Sequence, residues 1–373
     1  MPGNPLRLLG VADARSINVA RWARRLVDRG HAVTLVSDRL PPGDTPVEGA
    51  AVYDVRTLER LTGIRGLRRL TIGPAIGRLA ERLEIDLVHA HYLLPYGWWA
   101  ARARRHPLVM SPWSRDVFVD ANERRQGRTR AREAIAASDY LVVNSEANRL
   151  ASIDLGADPA RIREIIWYSE LDRFAPDRAD PELRARHGWP GDALVVLSLR
   201  NYRPYTNLDV VVRAFARAAA DEPRARLLLA ARGGPARNEL EALVDALGVR
   251  QLVAFERVEW ASLPGTAAAA DVAVTIADSD STPASLLEVM ASSVPVVAGR
   301  TWSIDEWIGP DEGGALVECR DEDAVAASLA RLLADPEARR RHGERNEQFV
   351  RSRLGDPGQQ LEELYLELLE GRA

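Results

Sequence analysis

The densest chemistry in the chain is carried by one segment, Asp278-Ser-Asp280-Ser-Thr-Pro-Ala-Ser-Leu-Leu-Glu288-Val-Met-Ala-Ser-Ser-Val-Pro295-Val-Val-Ala. It reads as a strand edge, a turn, a helix, a second turn and a strand. Ser281 or Thr282 suits the N-cap and Pro283 the first helical position, which leaves free amides and the positive end of the helix dipole at the carboxyl edge of a strand. Such a helix start accepts a pyrophosphate. Glu288 falls about a turn and a half into the helix, where its carboxylate suits two hydrogen bonds from vicinal ribose hydroxyls and stays clear of the phosphates. Asp280, eight residues earlier, stands ahead of the helix and is placed to hold hydroxyls of a sugar. Together the two acids would grip both ends of a sugar nucleotide. Two other readings of Asp278 and Asp280 compete: a metal-binding Asp-x-Asp pair, which belongs to a single-domain context, and loop acids that merely solvate a strand end, against which Glu288 at its spacing counts.

Further candidates lie elsewhere. Val88-His-Ala-His-Tyr92 puts His89 and His91 at the carboxyl edge of a strand, where open α/β sheets bind ligands, although His89 reads equally well as a structural histidine. Arg232-Gly-Gly-Pro235 has the composition of a phosphate loop, but a glycine pair is usually only a turn. Trp98 and Trp99 stand beside a Leu-Leu-Pro run and read as core. The arginines at 65, 68, 69, 78 and 82, and at 124, 125, 128, 130 and 132, read first as solvated helix faces and second as a surface for an anionic membrane.

The elements that must position these residues alternate regularly. Apolar runs at Leu6 to Val11, Ala32 to Ser37, Asp86 to His89, Leu108 to Ser111, Tyr140 to Asn144 and Ile162 to Trp167 are separated by amphipathic segments, the pattern of a parallel sheet covered by helices. Ser16 caps the first helix, whose apolar positions Val19, Ala23, Leu26 and Val27 lie opposite Arg21, Arg24, Arg25 and Asp28, with Gly30 ending it. The pattern restarts with Ala193 to Leu199, Arg226 to Ala230, Val253 to Phe255, Ala273 to Ile276 and Val294 to Ala298, with helices at Leu208 to Ala220 and Asn238 to Leu247. Between the halves, Ala175 to Asp192 is rich in Pro, Asp and Arg, and the boundary falls near residue 180. A last helix after Pro357 shows Leu361, Leu364, Tyr365 and Leu368 on one face and needs a surface to cover.

With 373 residues, two domains of ordinary size are expected, and 46% hydrophobic with 28% charged residues is ordinary globular composition. The net charge of −4 argues against a general nucleic-acid surface. One cysteine, Cys319, excludes an internal disulfide and a cysteine zinc site, and the six histidines show no metal-ligand spacing, so no metal is expected. No apolar run approaches the roughly 20 residues that cross a bilayer, and Met1 to Leu9 lacks the apolar centre of a secretory signal, so a cytoplasmic location is expected. All 50 basic residues are arginines.

From Asp280 through Ala298 the chain resembles the retaining GT-B glycosyltransferases of family 4, whose hallmark is Glu, seven residues, Glu, followed by Ala-Met-Ala-x-Gly-x-Pro-Val-Val-Ala. Asp280 here replaces the first Glu, and Ser281-Thr282-Pro283 replaces Gly-Phe-Gly. The resemblance extends through Arg161 to Phe174, Asn207 to Phe215 and Gly233 to Leu240. It implies two Rossmann-like doubly wound domains facing a central cleft: residues 1–180 for the acceptor, 181–355 for the nucleotide sugar, and 356–373 as a helix returning to the first domain. The Arg and Lys that neutralise the donor diphosphate in this family correspond to Arg200 and Arg203, and arginine suits the task through its bidentate fork. Asp280, Arg200 and Arg203 are therefore the expected catalytic residues. Glu288, Ser281, Thr282, Pro283, Ala284, Ser285, Gly233, Arg257 and Val258 are expected on the donor. The family's N-domain His corresponds to Trp113 in Ser111-Pro-Trp-Ser-Arg-Asp116. A subset with a Pro-Trp-Gly-Ser-Asp loop and an N-terminal Ser-x-His-x-x-Arg-Trp matches Ser16-Ile-Asn18-Val-Ala-Arg-Trp22, so Ser16, Asn18, His91, Trp113 and Asp116 are expected on the acceptor side.

The activity so implied is metal-independent transfer of a sugar from a nucleotide diphosphate, UDP or GDP, to an acceptor hydroxyl or amine with retention, the donor's own phosphate oxygen taking the acceptor proton. The acceptor is a small molecule, a glycan or a lipid-linked compound, the last bringing peripheral contact with the inner membrane surface. The alternative is a pseudo-glycosyltransferase, or a non-glycosidic coupling in the same cleft, motivated by Trp113, Asp280 and the absence of lysine.

Overall fold

The computed structural model describes residues 5–40, 47–60, 68–104, 107–123, 125–278, 280–309 and 312–371. The chain forms two compact units, Met1–Tyr168 with Gly355–Ala373, and Ser169–Leu354. The first contains seven parallel strands, β1 (Arg7–Val11), β2 (Ala32–Ser37), β3 (Ala50–Asp54), β4 (Leu87–His91), β5 (Leu108–Ser111), β6 (Tyr140–Val143) and β7 (Ile162–Glu164), in the order β3-β2-β1-β4-β5-β6-β7. The second contains six, β8 (Leu194–Ser198), β9 (Ala225–Ala230), β10 (Val253–Glu256), β11 (Val272–Thr275), β12 (Val296–Gly299) and β13 (Gly314–Val317), in the order β10-β9-β8-β11-β12-β13. Central strands such as β4 and β8 are buried along their whole length, as a sheet covered on both faces requires.

Strands β3 and β13 are absent from the runs read in the sequence. Both are sheet edges. Three of the five residues of β3 are only half-buried, and β13 is short, preceded by Gly313 and opening on Gly314, both at positive φ, so neither shows a long apolar run. The third difference is the boundary. Residues 169–180 belong with the second unit, because the Arg173 guanidinium donates to Trp260 O (2.8 Å) and lies 4.2 Å over its ring, Arg351 donates to Phe174 O (2.7 Å) and Asp180 N donates to Gly265 O (3.0 Å). Proline and charge mark exposed chain there, not the end of a domain.

Helix α1 (Ile17–Asp28) buries Val19, Ala23 and Leu26, and Gly30, at φ 91°, closes it by donating to Val27 O (2.9 Å). Arg21 is not on the solvent face: it is buried, with Nη1 donating to Tyr168 O at 2.9 Å. Helix α2 (Leu208–Asp221) packs on the second sheet through Val211, Val212 and Phe215, and helix α3 (Ala284–Ala291) links β11 to β12. The last helix, α4 (Pro357–Glu370), is capped by the Asp356 carboxylate, which accepts from Gly358 N (2.8 Å) and Gln359 N (3.1 Å), and it buries Leu361, Leu364, Tyr365 and Leu368 within the first unit.

Candidate functional site

In the second sheet the chain runs from β8 outward through β9 to β10, then returns to pair β11 on the other side of β8. The strand order reverses between β8 and β11, the place where doubly wound sheets open a crevice at their carboxyl edge. Arg200 follows β8 and Asp280 follows β11, and they meet there: Arg200 Nη2 donates to Asp280 Oδ2 at 2.5 Å, both side chains largely shielded. The other carboxylate oxygen of Asp280 accepts from Ser281 N at 3.0 Å. Asp280 is thus oriented by its own turn and by Arg200.

The start of α3 differs from expectation. Pro283 is the N-cap (φ −71°, ψ 133°), Ala284 is the first helical residue, and neither Ser281 nor Thr282 caps the helix. Their hydroxyls face the loop after β12: Ser281 Oγ lies 3.4 Å from Ser303 Oγ, and Thr282 Oγ1 accepts from Trp307 Nε1 at 3.2 Å. The carbonyl of Pro283 accepts from Leu286 N (3.0 Å) and Leu287 N (3.4 Å), so the amides of Ala284 and Ser285 precede the first helical bond and keep the anion-attracting character of a helix start. Glu288 is buried on the same helix.

Asp278 is engaged by side chains from two other loops. Its carboxylate accepts from Asn207 Nδ2 (2.6 Å), from Arg320 Nε (3.1 Å) and from Arg320 Nη2, and the Arg320 contact is the main cause holding it below the usual carboxylate range. Among the described residues no group of three or more His, Cys, Asp or Glu side chains could hold a metal ion. Asn207 and Arg320 were missed in the sequence. Asn207 left one signal, its position just ahead of a helix.

The loop after β9 is stitched to the loop after β8. Tyr202 N donates to Gly233 O (3.2 Å) and Arg232 N to Asn201 Oδ1 (3.3 Å), while a Cβ on Gly234, at φ 155°, would meet Tyr202 O at 2.1 Å. Gly233, at φ 123°, borders open space. Arg203 is exposed, and its guanidinium forms no hydrogen bond or ion pair among the described residues, so it does not join Arg200. Arg257 pairs with Glu259 (3.2 Å) in the exposed loop after β10, next to half-buried Val258.

In the first unit the order reverses between β1 and β4. His89, in the middle of β4, is structural. Trp22 Nε1 donates to Tyr365 Oη (3.0 Å), Tyr365 Oη lies 2.5 Å from His89 Nδ1, and His89 Nε2 lies 2.8 Å from Ser111 Oγ. With the tyrosine proton directed at Nδ1, the ring is neutral with its hydrogen on Nε2, and burial pushes it down to about 3. His91 is also fully buried and held well below its ordinary value by that burial; its ring lies 4.9 Å from Trp22, 4.5 Å from His89, 4.8 Å from Trp167 and 6.0 Å from Trp113. Neither of its nitrogens has a hydrogen-bond partner among the described residues, nor does Trp113 Nε1.

Asp116 is buried and turned inward, accepting from Leu93 N (2.7 Å), Trp113 N (3.0 Å) and Ser114 N (3.0 Å), and burial raises its carboxyl despite these donors. It shapes the Trp113 loop rather than facing outward. Asn144 and Asn148 hold the same loop through Trp113 O (3.1 Å) and Pro112 O (2.9 Å). Ser16 occupies the N-cap of α1 without a side-chain cap bond, and Asn18 is half-buried in its first turn. Trp98 and Trp99 are core; Arg102 and Arg130 lie 5.0 and 4.8 Å over Trp98. Of the arginines read as a helix face, Arg78, Arg82, Arg125 and Arg132 are exposed and Arg128 pairs with Asp154 (2.7 Å). Arg65 and Arg124 lie outside the described residues, as do the side chains of Arg68 and Arg69.

Two family models match the chain, glycosyl transferases group 1 over residues 179–349 and glycosyl transferase 4-like domain over residues 16–165. The chain is 31% identical to the D-inositol 3-phosphate glycosyltransferase of Kineococcus radiotolerans, covering 92% of this chain and 88% of that one, and 31% identical to the protein of the same name from Geodermatophilus obscurus, covering 89% and 80%. Among solved structures it is similar to sucrose-phosphate synthase from Thermosynechococcus elongatus (TM-score 0.80, 20% identity, covering 98% and 100%) and to Anabaena HepE in complex with UDP and glucose (TM-score 0.76, 17% identity, covering 97% and 100%).

Proposed function

This chain belongs to the group 1 glycosyltransferases, and from that membership we propose that it moves a sugar from a nucleoside diphosphate, UDP in the first instance, to a hydroxyl of a small polyol or glycan, with retention and without a metal. The observation that carries this reading is the Arg200–Asp280 pair at the β8/β11 reversal, beside the start of α3. A guanidinium offers five N–H donors and Asp280 engages one, so Arg200 keeps donors for the departing diphosphate while Asp280 aims it. The amides of Ala284 and Ser285 add to the same stabilisation, which grows as negative charge develops on the leaving group. Glu288 takes the ribose hydroxyls and Asp280 the hydroxyls of the transferred sugar. The acceptor is assigned to the first unit, near Ser16, Asn18, His91 and Trp113, and its proton passes to a diphosphate oxygen.

Support for the donor class comes from HepE, solved with UDP and with UDP-glucose, and support for a polyol acceptor from relatives named for inositol 3-phosphate. No helix among the described residues is long and apolar enough to cross a membrane; we place the activity in the cytoplasm, with peripheral membrane contact only for a lipid-linked acceptor. The test is calorimetry with UDP and GDP followed by NMR of the product formed from UDP-glucose and inositol phosphate in the presence of EDTA. Binding of one diphosphate and an axial glucoside support the proposal. An equatorial product, or activity lost to EDTA, overturns its mechanism.

A further inference from the structure

Arg200 and Asp280 belong to two loops joined by more than their own contact. Seven residues beyond Arg200, the side chain of Asn207 reaches the β11 loop, where Nδ2 donates to Ile276 O (2.9 Å) and to Asp278 Oδ1 (2.6 Å), two residues ahead of Asp280. Between these two links Asp278 N donates to Tyr205 O at 2.9 Å. Thr206 Oγ1 closes the intervening turn on Asn201 O (3.0 Å) and Arg203 O (2.6 Å). From the far side, Arg320, in the loop after β13, clamps both oxygens of Asp278. The result is a ladder of three rungs between the loops after β8 and β11, of which the Arg200–Asp280 pair is the outermost.

The two side chains that hold Asp278 are unequal. Arg320 is 71% exposed, and an ion pair that open to water contributes little. Asn207 is buried, and an amide committed to Ile276 O and Asp278 Oδ1, with Cys319 O at 3.5 Å, is costly to remove. Asn207 also stands in the left-handed region, φ 53° and ψ 35°, a conformation that asparagine tolerates and that aims its side chain back across the strand ends while its carbonyl accepts from Val211 N (3.1 Å) in α2.

We infer that Asn207, acting through Asp278, is a positioning residue for the Arg200–Asp280 pair, fixing the separation of the two loops so that the guanidinium and the carboxylate meet the donor in one geometry. The catalytic meaning of this rests on the donor-site reading above; the mechanical claim does not.

The experiment is a double-mutant cycle read by thermal unfolding. Arg200→Ala, Asp280→Ala and the double variant are measured in the wild-type background and again with Asn207→Gly, which keeps the backbone conformation and removes the amide. The melting shifts are expected to be non-additive in the wild type and additive with Asn207→Gly. Equal non-additivity in both backgrounds overturns the inference. Asp278→Asn, which retains a carbonyl oxygen for Asn207, should preserve the coupling, whereas Asp278→Ala should abolish it; the same loss in both would assign the effect to Arg320 instead and overturn the role of Asn207. In turnover with UDP-glucose, Asn207→Gly should lower kcat on the order of 10- to 100-fold with UDP affinity changed less than about twofold, a split that general loosening of the fold would not produce. A wild-type protein that fails to bind UDP counts against the donor reading and leaves the cycle to judge the positioning.

Discussion

Two carboxylates eight residues apart are proposed to do different work, and their surroundings say how to separate them. Glu288 is buried within α3, whereas Asp280 shares its charge with Arg200 at the strand edge. Glu288→Ala should weaken UDP binding by about 10- to 100-fold, the loss expected when hydrogen bonds to a charged acceptor worth roughly 1.5–3 kcal/mol are removed. Asp280→Ala should leave UDP affinity nearly unchanged and depress transfer from UDP-glucose by on the order of 100-fold. Calorimetry with the free diphosphate beside single-turnover rates distinguishes the two. Equal effects of both substitutions on both measurements would remove the division of labour. His89 supplies a pH prediction at this scale. Folded, it is held at about 3, against an ordinary 6.5 in the unfolded chain. Below pH 6.5 the unfolded chain binds the proton first, so stability falls as pH falls, by up to about 1.4 kcal/mol per pH unit, and levels off near pH 3. Buried His91 is displaced in the same direction. Urea midpoints measured from pH 7 to pH 4 should decline with this sign, and a flat profile would refute the neutral buried state.

Among the elements, α4 depends most on a few named contacts. Tyr365 receives the Trp22 indole N–H and turns its own proton to His89, so one hydroxyl satisfies two buried groups on α1 and β4. Tyr365→Phe removes it without changing the ring and leaves both unsatisfied, at roughly 1–3 kcal/mol each. A drop of about 3 kcal/mol in unfolding free energy is expected, with Trp22 fluorescence reporting the transition. A change under about 0.5 kcal/mol would mean that water replaces the hydroxyl. At the start of α3, by contrast, the side chains that look like caps in the sequence bond to the loop after β12, and Pro283 supplies the cap by its backbone. Capping preference speaks only of local partners; Ser303 and Trp307 come from another strand connection.

For the molecule as a whole, each unit closes its own core, and the first closes it with the far end of the chain. Leu361, Leu364, Tyr365 and Leu368 are buried there, each worth roughly 1.5–3 kcal/mol, a sum comparable to the whole stability of an ordinary domain, about 5–15 kcal/mol. Removing residues 355–373 should therefore unfold or loosen the first unit while the second keeps its exchange protection, and hydrogen exchange resolved by peptide would show it; protection unchanged in α1 and β4 would contradict it. By itself the sequence determined the α/β class with two sheets, the acid pair at Asp280 and Glu288, the helix between them and the apolar face of α4, because these depend on spacings of a few residues set by helix rise and strand pleat. Only the tertiary structure decided that Arg200 meets Asp280, that Asp278 bonds to Asn207 and Arg320, that His89 is locked by Tyr365, and that residues 169–180 belong with the second unit. Those partners are separated by 80, 71, 42 and 276 positions in the first four contacts, and strand order brings them together, a property of how the sheet is wound that no local pattern encodes.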